Sequence, residues 1–110
     1  MKISDFKRGW LVGSFPDALL NRKDIEVGVQ EYKRGDRTEI HFHKECNEIN
    51  IVLRGRIEVT TNYYIKQTTQ FYTGDIFIIP KNTISNCYFP IDAQILCIKD
   101  NSNPKDKYFL

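Results

Sequence analysis

The chain has 110 residues, enough for one domain with its own hydrophobic core and too few for two. Hydrophobic residues make up 41% and charged residues 27%, and the net charge of +2 comes from scattered basic pairs such as Lys7-Arg8 and Lys33-Arg34 interleaved with acids, so neither a disordered chain nor a nucleic-acid footprint is expected. Cys46, Cys87 and Cys97 lack a CxxC spacing, residues 1–8 are too polar for a secretory signal, and no apolar run reaches membrane-span length; together these describe a soluble protein of the reducing cytoplasm, without nucleic-acid or membrane partners.

In chain order, residues 1–24 form an arm punctuated by Gly9, Gly13 and Pro16. One short strand is expected at 10–12, and Asp17 is placed to cap a helical turn at 18–21. From residue 25 the pattern turns to period two: Ile25, Val27 and Val29 alternate with Glu26, Gly28 and Gln30. Strands are expected at 38–43, 48–53, 56–60, 63–69, 76–79, 84–89 and 93–99. Turns carrying Gly35, Gly55 and Gly74, a bend at Thr61-Asn62 and a break at 80–82 separate them. Many short strands with glycine and proline between them predict an all-β sandwich or barrel over 25–99. Residues 100–110 form a polar tail, mobile in its first part, with Tyr108, Phe109 and Leu110 able to dock.

The chemistry concentrates between Gly35 and Gly55. The chain's two histidines, His41 and His43, are one residue apart and share a strand face. Glu48 opens the next strand across a short loop. Two imidazoles and one carboxylate converging from adjacent strands suit a divalent first-row metal: iron with open positions fits, and manganese, nickel and zinc are compatible with the donor types. A histidine in a β protein is more often structural or exposed, but here both histidines, the carboxylate and the glycines share one frame.

The run Gly35-x5-His41-x-His43-x4-Glu48-x6-Gly55 resembles the first signature of the cupin superfamily at every position. The second signature is degraded. Gly74 and Pro80 match, Asn82 stands for a glycine, Ser85 stands for the histidine that would be a fourth ligand, and Phe89 stands for an asparagine. The resemblance covers about residues 25 to 99. It implies a small jelly-roll β-barrel with the metal inside, and carries His41, His43 and Glu48 over as ligands. With Ser85 in the fourth place the site is open and a weaker metal binder, so partial occupancy is expected. Cys87, two residues on, shares the inward face either as a soft thiolate ligand or as a small buried hydrophobe.

If Glu48 points inward, so do Asn50 and Val52, while Ile49, Ile51 and Leu53 point outward beside Ile40 and Phe42. So apolar an outer face needs cover, either from the arm, with Trp10 and Phe15 as plugs, or from a second subunit; a homodimer is expected. Asn50, Ser85 and Cys87 are candidate pocket residues, and Tyr32, Tyr63, Tyr64, Gln67 and Gln70 candidate mouth residues. The expected function is metal-dependent action on a small organic molecule, a sugar or a carboxylic acid. Two alternatives stand beside it: a metal-free sugar-nucleotide epimerase or isomerase, and a small-molecule-binding module without catalysis.

Overall fold

A computed structural model describes residues 1–61 and 64–110. Among the described residues, two short 3-10 turns, Ile3–Asp5 and Lys7–Gly9, lead into eleven strands. These are β1 (Trp10–Gly13), β2 (Leu20–Asn21), β3 (Glu26–Tyr32), β4 (His41–Phe42), β5 (Glu48–Arg54), β6 (Arg56–Thr61), β7 (Gln67–Tyr72), β8 (Ile76–Ile79), β9 (Ser85–Tyr88), β10 (Ala93–Lys99) and β11 (Tyr108–Phe109). They build two facing sheets, in the orders β2-β1-β3-β10-β5-β8 and β11-β4-β9-β6-β7. The all-β expectation holds, as a two-sheet jelly roll.

The interior is graded along its length. On the six-stranded sheet, cross-strand partners form rows: Gln30, Ile95 and Val52, then Gly28, Cys97, Asn50 and Phe77, then Glu26, Lys99, Glu48 and Ile79. Val52, Ile57, Val59, Phe77, Ile79, Phe89, Ala93 and Ile95 form a single buried cluster that fills the apolar end and reaches the charged row at Ile79. Tyr32 stacks on Phe89 with ring centroids 3.9 Å apart. The other end is a layer of charged and amide side chains at the mouth. The apolar end supplies the burial that holds the sheets together; the polar end is free for function.

Several local expectations change. The helical turn at 18–21 does not form. Leu19 N–H donates to Leu11 O at 2.8 Å and Arg22 N–H to Gly13 O at 3.1 Å, so this stretch runs parallel to β1 and its backbone donors go to a strand instead of a helix. The strand expected at 38–43 is reduced to two residues. Thr38 exchanges bonds with Cys87 through both its backbone and its hydroxyl, which breaks the regular ladder. The strand placed at 63–69 lies at Gln67–Tyr72; Asn62 and Tyr63 fall outside the described residues. The tail is built into the molecule: β11 pairs with β4, and Asp106 is buried.

The alternation in β3 is real, but its inner face is the polar one. Glu26 and Gly28 are buried, while Val27 and Val29 lie on the outer face. Gly28 is required there because Trp10 packs on it: a Cβ at this position would stand 2.6 Å from the indole ring. Trp10 thus packs on the inner face, with Lys99 Nζ 4.8 Å over its ring, and does not cover the outer sheet. Asn82 adopts φ +64°, the left-handed conformation asparagine tolerates in place of glycine.

Candidate metal centre

His41 lies in β4, His43 just after it and Glu48 opens β5; all three line one open cavity of about 1270 Å³ that also reaches Ile57, Phe89 and Ile95. His41 and His43 stand edge to face with ring centroids 5.3 Å apart. His41 Nδ1–H donates to Glu39 O at 2.7 Å, and His43 Nδ1–H donates to Asp106 O. Backbone carbonyls therefore hold both rings in the tautomer that leaves Nε2 with its lone pair, the arrangement seen around metal-ligating histidines. His43 Nε2 is 3.7 Å from Glu48 Oε1, and Asn50 Nδ2 donates to Glu48 Oε2 at 3.2 Å. Two donors each about 2.1 Å from one ion stand roughly 3–4 Å apart. The donor types suit a divalent metal, and His43 Nε2 and Glu48 Oε1 stand at that spacing; among the described residues the three ligand atoms within 4.8 Å of one another belong to His43, Cys46 and Asp106, without His41. Burial, together with Lys107 and His43, holds His41 below the ordinary imidazole value, against the pull of its bond to Glu39. A neutral ring is what a metal ligand needs.

Ser85 is buried and is the cross-strand partner of His41, so it stands beside the trio on the inner wall. Cys87 packs against the apolar cluster, and burial pushes its thiol up to about 12. It behaves as a small hydrophobe. Among the other pocket and mouth candidates, Asn50 and Tyr32 line the cavity, whereas Tyr64 is fully exposed and Gln70 pairs with Glu58.

A further convergence comes from the tail. His43, Cys46 and Asp106 bring three potential ligand atoms within 4.8 Å of one another, all buried. Both Asp106 oxygens, however, accept backbone N–H groups, from Lys44 at 2.8 Å and Glu45 at 2.9 Å. Burial also pushes the Cys46 thiol up to about 12. The cluster works as a hydrogen-bonded brace that orients His43.

Glu26, Lys99, Asp106 and Lys107 are the residues the motif did not reveal. Lys99 Nζ lies 3.5 Å from Glu26 Oε1 and 4.8 Å over the Trp10 ring. Burial works to discharge it, but Glu48 and Glu26 overcome that and raise its pKa above the ordinary lysine value. Its inward placement is readable from the alternation Ala93, Ile95, Cys97, Lys99; that of Asp106 has no sequence signal.

The model of the cupin domain matches residues 28–98, and the chain belongs to the cupin family. It is 32% identical over 100 residues to an auxin-binding protein of Nicotiana tabacum, an alignment covering 84% of this chain and 53% of the relative. The chain thus spans about half the length of that curated relative. Among solved structures it is similar to a cupin-2 domain protein of Shewanella frigidimarina (TM-score 0.65, 18% identity, 89% of this chain and 87% of the other). It also resembles an oxalate decarboxylase variant of B. subtilis (TM-score 0.70, 19% identity, 80% of this chain and 24% of the other). At these identities the structural matches establish the shared fold.

Proposed function

We propose that this cupin binds a divalent transition metal, iron, manganese, nickel or zinc, through His41 Nε2, His43 Nε2 and the Glu48 carboxylate, and acts on a small organic molecule in the cavity beside them. The observation that supports this is the pair of Nδ1–H bonds to backbone carbonyls, which leaves both Nε2 lone pairs free, with His43 Nε2 3.7 Å from Glu48 Oε1. A metal there supplies Lewis acidity to a carbonyl or hydroxyl ligand, or a site for dioxygen. The chain's own residues orient the ligand, and Trp10 is among those that line the cavity. Metal analysis of the wild type beside His41→Ala tests this. Wild type is expected to hold a transition metal at partial occupancy and the variant to lose it. Protein from metal-supplemented culture with neither bound metal nor measurable affinity refutes it.

Lys99 favours a second reading. It is the cross-strand partner of Glu48, a cation already beside the carboxylate, and supports metal-free chemistry on a sugar nucleotide with a histidine as base. Activity insensitive to chelators decides for that reading.

The working unit is a homodimer through the outer face of the six-stranded sheet. Ile49, Leu53, Ile76 and Ile78 remain 39%, 41%, 64% and 57% exposed, an apolar patch that a second copy of the same face covers. Among the described residues no helix is long and apolar enough to cross a membrane. The three free thiols support a reducing, cytoplasmic setting.

A further inference from the structure

Lys99 stands between two carboxylates. On β10 it is the cross-strand partner of Glu26 on one side and of Glu48 on the other, and all three line the same cavity. Directly opposed residues on adjacent antiparallel strands have Cβ atoms about 4.5–5.5 Å apart. The Lys99 Nζ lies 3.5 Å from Glu26 Oε1 and 4.8 Å over the Trp10 ring, which is itself backed by Gly28. The side chain of Lys99 is only 14% exposed, so water and salt screen its charge little.

The two carboxylates are held differently. Glu26 is fixed: its Oε2 accepts the Ser102 hydroxyl at 2.7 Å, and Ser102 Oγ accepts the Ser14 N–H at 2.8 Å. Glu48 is held more loosely, with Asn50 Nδ2 donating to its Oε2 at 3.2 Å and His43 Nε2 standing 3.7 Å from its Oε1. Burial works to discharge the Lys99 ammonium, but Glu48 and Glu26 outweigh it. A positive charge therefore sits beside the one carboxylate of the proposed metal set. A divalent ion on Glu48 must accept that charge as a neighbour, in surroundings where the repulsion is stronger than in water.

We propose that Lys99 is an internal rival of the metal: anchored by Glu26 and Trp10, it partly neutralises Glu48 and so sets the affinity of the His41–His43–Glu48 centre for divalent ions. This deepens the metal-binding reading and rests on it. Lys99 acts through Glu48 and is a positioning residue. Its effect is separate from that of Ser85, which leaves one ligand fewer, whereas Lys99 weakens the attraction of a ligand that is present. Removing its charge leaves Glu26 and Glu48 with no cation between them, a repulsion that a divalent ion relieves.

The full chain is titrated with Mn(II), a hard ion that favours carboxylates over thiols. Free Mn(II) is followed by EPR, and thermal melts are run with and without the ion. Lys99→Met is expected to bind Mn(II) at least about tenfold tighter than wild type. It should melt lower without metal and gain more in Tm when Mn(II) is added. A lysine needed only for packing would lower Tm without tightening Mn(II). Lys99→Arg keeps the charge and should stay close to wild type. Glu26→Gln leaves Glu48 as the main counter-charge of Lys99 and should weaken Mn(II) binding; it decides the matter if Lys99→Met fails to fold. Equal or weaker binding by Lys99→Met, a Lys99→Arg that binds as tightly as Lys99→Met, or unchanged binding by Glu26→Gln overturns the proposal. Wild-type uptake that Lys99→Met leaves unchanged removes the role of Lys99 and leaves the metal reading standing. Tighter uptake by Lys99→Met that survives a further His41→Ala takes His41 out of the ligand set, and the role of Lys99 stands. No uptake by wild type or any variant overturns both.

Discussion

Asp106→Ala removes a side chain whose two oxygens accept the backbone N–H groups of Lys44 and Glu45. Hydrogen bonds to a charged group contribute roughly 1.5–3 kcal/mol each. Lys44 and Glu45 are exposed, so water can reach the freed donors, and the low end of that range applies. The expected loss is about 3 kcal/mol, a fall in Tm of about 10 °C or more for a domain of this size. The carbonyl of residue 106 survives the substitution, but the segment that carries it is no longer pinned, so His43 loses its fixed orientation. On the proposed metal reading, weakening such an outer partner costs about 10–100-fold in affinity. Thermal melts and competition with a chromophoric chelator measure the two effects. Asp106→Asn, which keeps one acceptor oxygen, should recover part of both. A variant that melts within about 2 °C of wild type, or binds metal equally well, would refute the brace.

Three other outcomes follow from the geometry. Folded His41 takes its proton at lower pH than the unfolded chain, which takes it near about 6.5. Between those two values the unfolded state binds more protons, so the stability contribution is full above about 6.5 and is lost as pH falls through the window. The drop in Tm from pH 7.5 to 5.5 should be smaller in His41→Gln, and an equal or larger drop counts against it. Gly28→Ala puts a methyl 2.6 Å from the Trp10 ring, which must swing outward, costing about 1–3 kcal/mol and shifting its emission to the red; an unchanged spectrum contradicts the packing. Ile49→Glu with Ile78→Glu should convert a dimer into a folded monomer by light scattering, because both side chains are already exposed in the single chain. A wild type that is monomeric at every concentration removes the dimer.

The residues between Gly35 and Gly55 were legible because their spacing is geometry. Two histidines one apart must share a strand face, and Glu48 must open the neighbouring strand. The parity rule also placed Asn50 and Val52 inside and Ile49 and Leu53 outside, as the structure has them. Trp10 and the helical turn at 18–21 were not legible: local propensity says nothing about a glycine on another strand or an open backbone edge along β1.

By itself the sequence determined what depends on neighbours along the chain: an all-β fold, the turn positions and the local histidine pair. Only the tertiary structure decided which nitrogen of His43 keeps its lone pair, because the deciding acceptor is the carbonyl of Asp106, distant in the chain and close in space. It likewise decided the charge of the mouth. Glu26, Lys99 and Lys107 come from an early strand, a late strand and the tail. Their meeting depends on sheet order and register, which long-range packing sets.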